Sequence, residues 1–175
     1  MRLGFRHCDP RFPFLWHDHT QPAARWHEQG QGPANYFADT PVGAWAEFLR
    51  HEGITDAADL PGVRRSLWVA MLPEDGYASP RLPDEDLFGD ETTYPTCQVE
   101  AARLRAAGAQ RIEVRGAALL PGAARGWTAD PALRPSSIAR DGLVWVLFGG
   151  ADLIAWIAVD GGSPPELVLP LVRTL

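Results

Sequence analysis

Apolar and polar positions along the chain fall into short periodic runs separated by stretches rich in proline, glycine and acidic residues. Arg2 to His7 alternates as a half-buried strand does, and Asn35 to Ala38 reads as a second short strand. Asp39 and Thr40 precede Pro41, which predicts a helix with Thr40 as N-cap, Pro41 at its first position and Gly53 as the stop after Glu52. At about 100° per residue, Ala44, Trp45, Phe48, Leu49 and Glu52 form the inner stripe of this helix. Glu47 falls at its boundary, about 60° outside the Ala44 edge. Asp56 to Pro61 predicts a helical turn, Ser66 to Leu72 a buried strand, and Glu74 to Thr93 a long acidic surface loop able to cover a cleft.

The second half reads the same way. Pro95 to Ala107 predicts a helix with Val99, Ala102, Leu104 and Ala106 as apolar positions and Gly108 as its stop. Gln110 to Arg115 alternates as a strand, and Gly116 to Asp141 reads as irregular. Leu143 to Phe148 and Leu153 to Val159 are continuous apolar runs joined by Gly149-Gly150-Ala151-Asp152. They predict a hairpin at the sheet centre, with Trp145 and Trp156 in the core. The apolar tail from Glu166 to Leu175 contains Pro170, which confines it to an edge strand or an extended docking segment. Exposed, such a tail favours a partner or self-association as a homodimer.

With 175 residues, 46% of them hydrophobic, the chain is long enough for one sizeable core, so a single domain over residues 1–175 is expected. All 16 basic residues are arginine and the formal charge is −6, a balance that argues against nucleic acid or an anionic membrane as partner. No apolar run reaches the about 18 residues of a membrane span. The N-terminus, with Arg2, Arg6 and Arg11 and no apolar core, does not read as a signal peptide, so a cytoplasmic location is expected. Cys8 and Cys97 fit no metal-ligand spacing and are expected to be thiols, at least one of them buried.

Two constellations carry candidate chemistry. His7, Asp9, His17, Asp18, His19 and His27 crowd the N-terminal stretch, where a metal site is one reading. Their proline-rich loop enforces no convergence, so polar loop histidines are the other reading, and no metal is expected. The sharper set is Arg25, Tyr36 and Glu47, two steps of eleven residues apart and spread over a loop, a strand and a helix. A boundary glutamate is commonly a solvated one, whereas facing a cleft it is placed to work. Arg6, at the end of the first strand, reads either as a phosphate contact or as half of an ion pair.

Phe5-Arg6, Arg25-Trp26, the Tyr36 strand with its small-residue turn, and Glu47 within Ala44-Trp45-Ala46-Glu47-Phe48-Leu49-Arg50-His51 resemble the RES domain family. Family members carry Gly-Arg-Trp-Asn where this chain has Ala24-Arg25-Trp26-His27. The resemblance implies an α+β, ADP-ribosyltransferase-like single domain with a bent, split mixed or antiparallel sheet and a nucleotide cleft between its halves. It implies NAD as substrate and a toxin-like enzyme cleaving the nicotinamide to ribose bond, by hydrolysis or phosphorolysis. The alternatives are ADP-ribose transfer to a protein, or a binding module that holds a nucleotide or uses the N-terminal histidines for a metal. The implied catalytic set is Arg25, Tyr36, Glu47 and Ser136, with Arg6, Arg25, Trp26, Tyr36 and Ser137 around the dinucleotide. Serines that follow a proline, as Ser136 follows Pro135, are also ordinary turn residues. The usual partner of the family is an Xre-like antitoxin, which here would be a separate chain.

Overall fold

The computed structural model describes residues 2–129 and 135–173. In chain order it contains β1 (Arg2–Cys8), β2 (Ala34–Ala38), α1 (Pro41–His51), β3 (Arg65–Leu72), β4 (Tyr77–Ala78), α2 (Asp84–Phe88), α3 (Tyr94–Ala106), β5 (Arg111–Arg115), β6 (Gly126–Ala129), β7 (Pro135–Ile138), β8 (Leu143–Phe148) and β9 (Ala155–Gly162). Short 3-10 turns occupy Ala57–Gly62, Glu91–Thr93 and Glu166–Leu171. Seven strands form one sheet in the order β4-β5-β8-β2-β1-β3-β9, and β6 with β7 forms a separate two-stranded sheet. Only β4 and β5 run parallel in the larger sheet, so it is mixed and the α+β class holds.

The pairing across this sheet is uneven. β1 pairs with β3 along its whole length, from Arg2 with Leu72 to Cys8 with Ser66. Against β2 it makes one registered pair, Phe5 with Ala38. The sheet is therefore two halves, β4-β5-β8-β2 and β1-β3-β9, that meet at one point and separate on the side of Tyr36 and His7.

Helix α1 spans that joint because its sequence fixes both its start and its buried face. Thr40 Oγ1 accepts a hydrogen bond from the Gly43 amide at 3.0 Å, satisfying one of the orphan donors of the first turn. Gly53 ends the helix at φ +65°, a conformation open to glycine. Ala44, Trp45, Phe48 and Leu49 are buried in a core with Ala38 of β2, Leu67 of β3, Leu119 and Val168. Glu52 departs from the expected stripe: it is the exposed C-cap, beyond the last packed turn, while Arg50 is buried. A second core packs α3 against β5 and β8, and a third packs the opposite face of the sheet beneath Leu15.

Other elements correct the sequence expectations. β8 and β9 do not form a hairpin: β8 lies between β5 and β2, whereas β9 pairs with β3 at the far edge. Trp145 is buried as expected, but Trp156 on that edge is half exposed. α3 buries Cys97, Glu100, Ala101 and Leu104, leaving Val99 exposed, because the Glu100 carboxylate is held by Arg103 at 2.6 Å and by the Arg81 amide at 2.9 Å. The acidic stretch 74–93 contains β4, α2 and a 3-10 turn, and the region 116–141 contains β6 and β7. The tail forms a 3-10 turn whose Val168 enters the α1 core, rather than an edge strand. Cys8 and Cys97 are both buried free thiols.

Because α1 depends on its cap, Thr40→Ala is expected to lower stability by about 1 kcal/mol, read as a lower urea midpoint with an unchanged m-value.

Candidate active site

Alternation along β2 places Ala34, Tyr36 and Ala38 on the side of the helices and Phe37 on the opposite side, in the third core. Tyr36 thus rises on the helix side of β2, on the strand that parts from β1. The loop before β2 folds over it through a bridge between Ala24 and His27. The Trp26 amide donates to the Tyr36 hydroxyl at 3.1 Å, and His27 Nδ1 lies 2.9 Å from the same oxygen. His27 Nε2 lies 2.9 Å from the Pro22 carbonyl, which only accepts, so the proton sits on Nε2 and the Tyr36 hydroxyl donates to Nδ1. Burial lowers the His27 pKa, in keeping with a neutral ring, and burial raises that of Tyr36. Tyr36 is thereby held with its hydroxyl fully engaged, and His27 is a structural part of that relay.

Trp26 is 2% exposed and packs in the core with Leu87, Cys97 and Leu104. Its ring supports the loop from below and offers no open face. Arg25 points the other way, into α2 and the stretch that follows it. Its Nη1 donates to the Asp86 carbonyl at 3.0 Å and to Thr93 Oγ1 at 3.1 Å, its Nη2 donates to the Gly89 carbonyl at 2.6 Å, and its guanidinium lies 4.7 Å from the Tyr94 ring centroid.

Glu47 is half-buried on α1. Desolvation raises its pKa above the ordinary carboxylate value, opposed by Arg50, then Arg25, then the Ala118 amide. Arg50 was not singled out by sequence reasoning, although it stands one helical turn after Glu47. It is buried, with Nη1 donating to the Ala117 carbonyl at 2.6 Å and Nη2 to the carbonyls of Phe88 and Gly89 at 2.7 and 2.9 Å. Arg25 and Arg50 therefore converge on one oxygen, that of Gly89. Tyr94 is also new; burial raises its pKa, Arg25 opposes that rise, and Glu47 adds to it. No signal in the sequence distinguishes Tyr94 from an ordinary first-turn tyrosine.

On the other half of the sheet, Arg6 Nη1 donates to the Tyr36 carbonyl at 3.1 Å, crossing the gap that backbone pairing leaves. Burial, with Arg65 adding to it, lowers the Arg6 pKa to about 10, so it stays charged at neutral pH. Arg65 Nη2 donates to His7 Nδ1 at 3.2 Å, which fixes His7 as an acceptor and hence neutral. Its guanidinium lies 4.9 Å from the Phe48 ring centroid, and the His7 ring meets Phe48 edge-on at 5.1 Å.

The structure thus brings Arg6, Arg25, Tyr36 and Glu47 to one region, with Trp26 beneath it. The backbones of Ser136 and Ser137 lie in β7, opposite Thr128 and Trp127, and their side chains fall outside what is described. His17 and His19 are exposed on their loop, away from the hydrogen bonds of His7 and His27. Among the described residues no three His, Cys, Asp or Glu side chains gather as a metal site.

The family model of the RES domain matches residues 4–151, a span that takes in Arg6, Arg25, Tyr36 and Glu47 and ends before β9. RES domains are associated with NAD-acting toxins of toxin–antitoxin pairs. No curated protein matches the chain.

Two outcomes follow from this geometry. Tyr36→Phe leaves the Trp26 amide and His27 Nδ1 without their shared partner and is expected to cost about 1–3 kcal/mol in a urea titration. Burial, then the charges of Arg65, Arg6 and His51, depress the His7 pKa from 6.5 to about 3. Between those values the unfolded chain binds the proton and the folded chain does not, so this contribution to stability is full above about pH 6.5 and is lost as pH falls toward 3. Wild type should lose stability relative to His7→Gln between pH 7 and pH 4, read as diverging urea midpoints.

Proposed function

The chain belongs to the RES domain family, and from that premise we propose that it cleaves the bond between nicotinamide and ribose in NAD, with Glu47 as the carboxylate at the reacting sugar. The observation that supports this reading best is a single half-buried acid, Glu47, set among Arg25, Arg50 and Tyr94 beside the split of the sheet. Departure of nicotinamide moves the electron pair of the C–N bond onto the leaving base and builds positive charge on the ribose. An ionised carboxylate there stabilises that charge electrostatically and accepts a hydrogen bond from a ribose hydroxyl. The acceptor, water or inorganic phosphate, then closes on the anomeric carbon, giving ADP-ribose or its 1-phosphate.

Arg25 and Arg50 serve this site by holding the 86–93 stretch against α1, which fixes one wall and limits water around Glu47. Tyr36, locked by Trp26 and His27, presents a fixed aromatic edge toward the same space. In the toxin–antitoxin setting of the family, the expected partner is an antitoxin chain that covers this opening.

Purified protein incubated with NAD, with and without inorganic phosphate, tests the proposal by chromatography of the products. Nicotinamide release is expected, reduced about 10²- to 10³-fold in Glu47→Gln. The acid limb of the rate profile should lie above the ordinary carboxylate range, because activity requires ionised Glu47 and its pKa is raised. Equal rates in wild type and Glu47→Gln would sink the assignment, and label transferred to protein would replace cleavage by ADP-ribosyl transfer.

A further inference from the structure

We propose that Arg65, acting with Arg6, forms the seat for the diphosphate of the dinucleotide, and that Arg25 and Arg50 do not. Four arginines surround the split, and they differ in how many of their donors are already engaged. Among the described residues Arg25 and Arg50 spend theirs on the protein's own atoms: four hydrogen bonds from Arg25, to Asp86, Gly89, Thr93 and the Cys97 sulfur, and three from Arg50, to Phe88, Gly89 and Ala117. Two guanidinium groups on one peptide carbonyl is the arrangement that a phosphate oxygen would otherwise take. Gly89 itself packs too closely for any side chain, since a Cβ there would lie 2.3 Å from Thr93 Cγ2 and 2.7 Å from the Glu85 carbonyl. An anion could reach this pair only by breaking that stretch away.

Arg6 and Arg65 have fewer of their donors engaged. Among the described residues each makes one hydrogen bond, to the Tyr36 carbonyl and to His7 Nδ1 respectively. Among the described residues the Nε of each, like that of Arg50, is buried without a hydrogen-bond partner, and neither forms an ion pair. Asp9, which follows β1 and feels the charge of Arg65, is occupied by Arg11 at 2.7 Å. Two half-buried positive charges that repel one another, with unmet N–H groups, require an anion of matching charge. A diphosphate carries two negative charges and oxygens that suit the guanidinium fork.

Position agrees with charge. Arg6 and His7 lie on β1 beyond its one pair with β2, the Arg6 guanidinium reaches the Tyr36 carbonyl across the parting, and Arg65 opens β3 beside them with its guanidinium on His7. Phe48, under Arg65, is the helix neighbour of Glu47. A diphosphate at Arg6 and Arg65 would thus hold the ribose near the carboxylate while leaving the 86–93 stretch shut.

The inference rests on the NAD reading for the identity of the anion, and the test separates the two. Binding of inorganic pyrophosphate and of inorganic phosphate to the full chain is measured by calorimetry for wild type, Arg65→Gln and Arg65→Lys, beside steady-state NAD cleavage. Pyrophosphate should bind wild type, with affinity about tenfold or more weaker in Arg65→Gln and partly restored in Arg65→Lys. KM for NAD should rise similarly with kcat little changed, which loss of a merely structural contact would not produce. The unliganded Tm of each variant reports folding; should Arg65→Gln not fold, Arg65→Lys against wild type carries the comparison. Absent pyrophosphate binding, or equal binding by all three proteins, would overturn the seat. Orthophosphate bound more tightly than pyrophosphate, and dependent on Arg65, would overturn its assignment to the diphosphate and give it to a free phosphate acceptor. Arg65-dependent pyrophosphate binding without any NAD cleavage would keep the seat and remove the catalytic reading.

Discussion

One backbone pair, Phe5 with Ala38, joins the two halves of the sheet, and the site exists because pairing stops there. Beyond it, β1 continues along β3 while β2 continues along β8. The backbone groups of two strands are left facing a gap that in a continuous sheet would be closed. An open edge inside a fold is costly unless its polar groups find partners. Arg6 partly fills the role by reaching the Tyr36 carbonyl, so the side chain that bridges the gap is also one that carries charge into it. Helix α1, packed on Ala38 from one half and Leu67 from the other, prevents the joint from opening further. The same helix carries Glu47, so the element that stabilises the split also bears the acid proposed to act there.

How much of this was legible depended on the range of the interactions. Thr40, Pro41 and Gly53 act within one or two turns of themselves, and α1 was therefore readable to within one residue. The apolar runs at Leu143 and Leu153 were readable as strands but not as neighbours. A continuous apolar run reports burial or β-propensity, and nothing local reports that β5 and β2 will flank β8 while β9 goes to an edge. α3 was misphased because its buried face includes Glu100, whose charge is answered by Arg103 and a distant amide, so polarity misled where pairing decided. The triplet of Arg25, Tyr36 and Glu47 could be found by resemblance. Arg50 and Arg65 could not, because each is defined by carbonyls and rings far away in sequence.

His27 shows the same limit from another side. As a residue in a histidine-rich stretch it suggested a ligand set. In the fold its two nitrogens are committed in opposite senses, donating to Pro22 and accepting from Tyr36. A neutral ring with both nitrogens used is poorly suited to a metal and well suited to fixing a tyrosine. A side chain standing where the related pattern has asparagine thus retains a donor and an acceptor, which is what the loop over β2 requires.

Glu47 has two arginines close enough to oppose its raised pKa, yet among the described residues it forms no ion pair with either. The reason lies in Gly89. Because Arg25 and Arg50 are tied to its carbonyl and to the carbonyls around it, their guanidinium groups cannot swing onto the carboxylate. Were they free, a close salt bridge would neutralise Glu47 and lower its pKa, leaving little charge to act on a developing cation. Held back, they moderate the desolvation without cancelling it. The folded chain thereby keeps an acid that is easier to protonate than a solvent-exposed one and, once ionised, is incompletely compensated. Such a carboxylate destabilises the fold that carries it as pH rises through its raised pKa, because the folded state holds the proton more tightly than the unfolded state. Positive charge arriving on a substrate would relieve that cost, and this is the physical sense in which the arrangement favours a cationic transition state over an empty site.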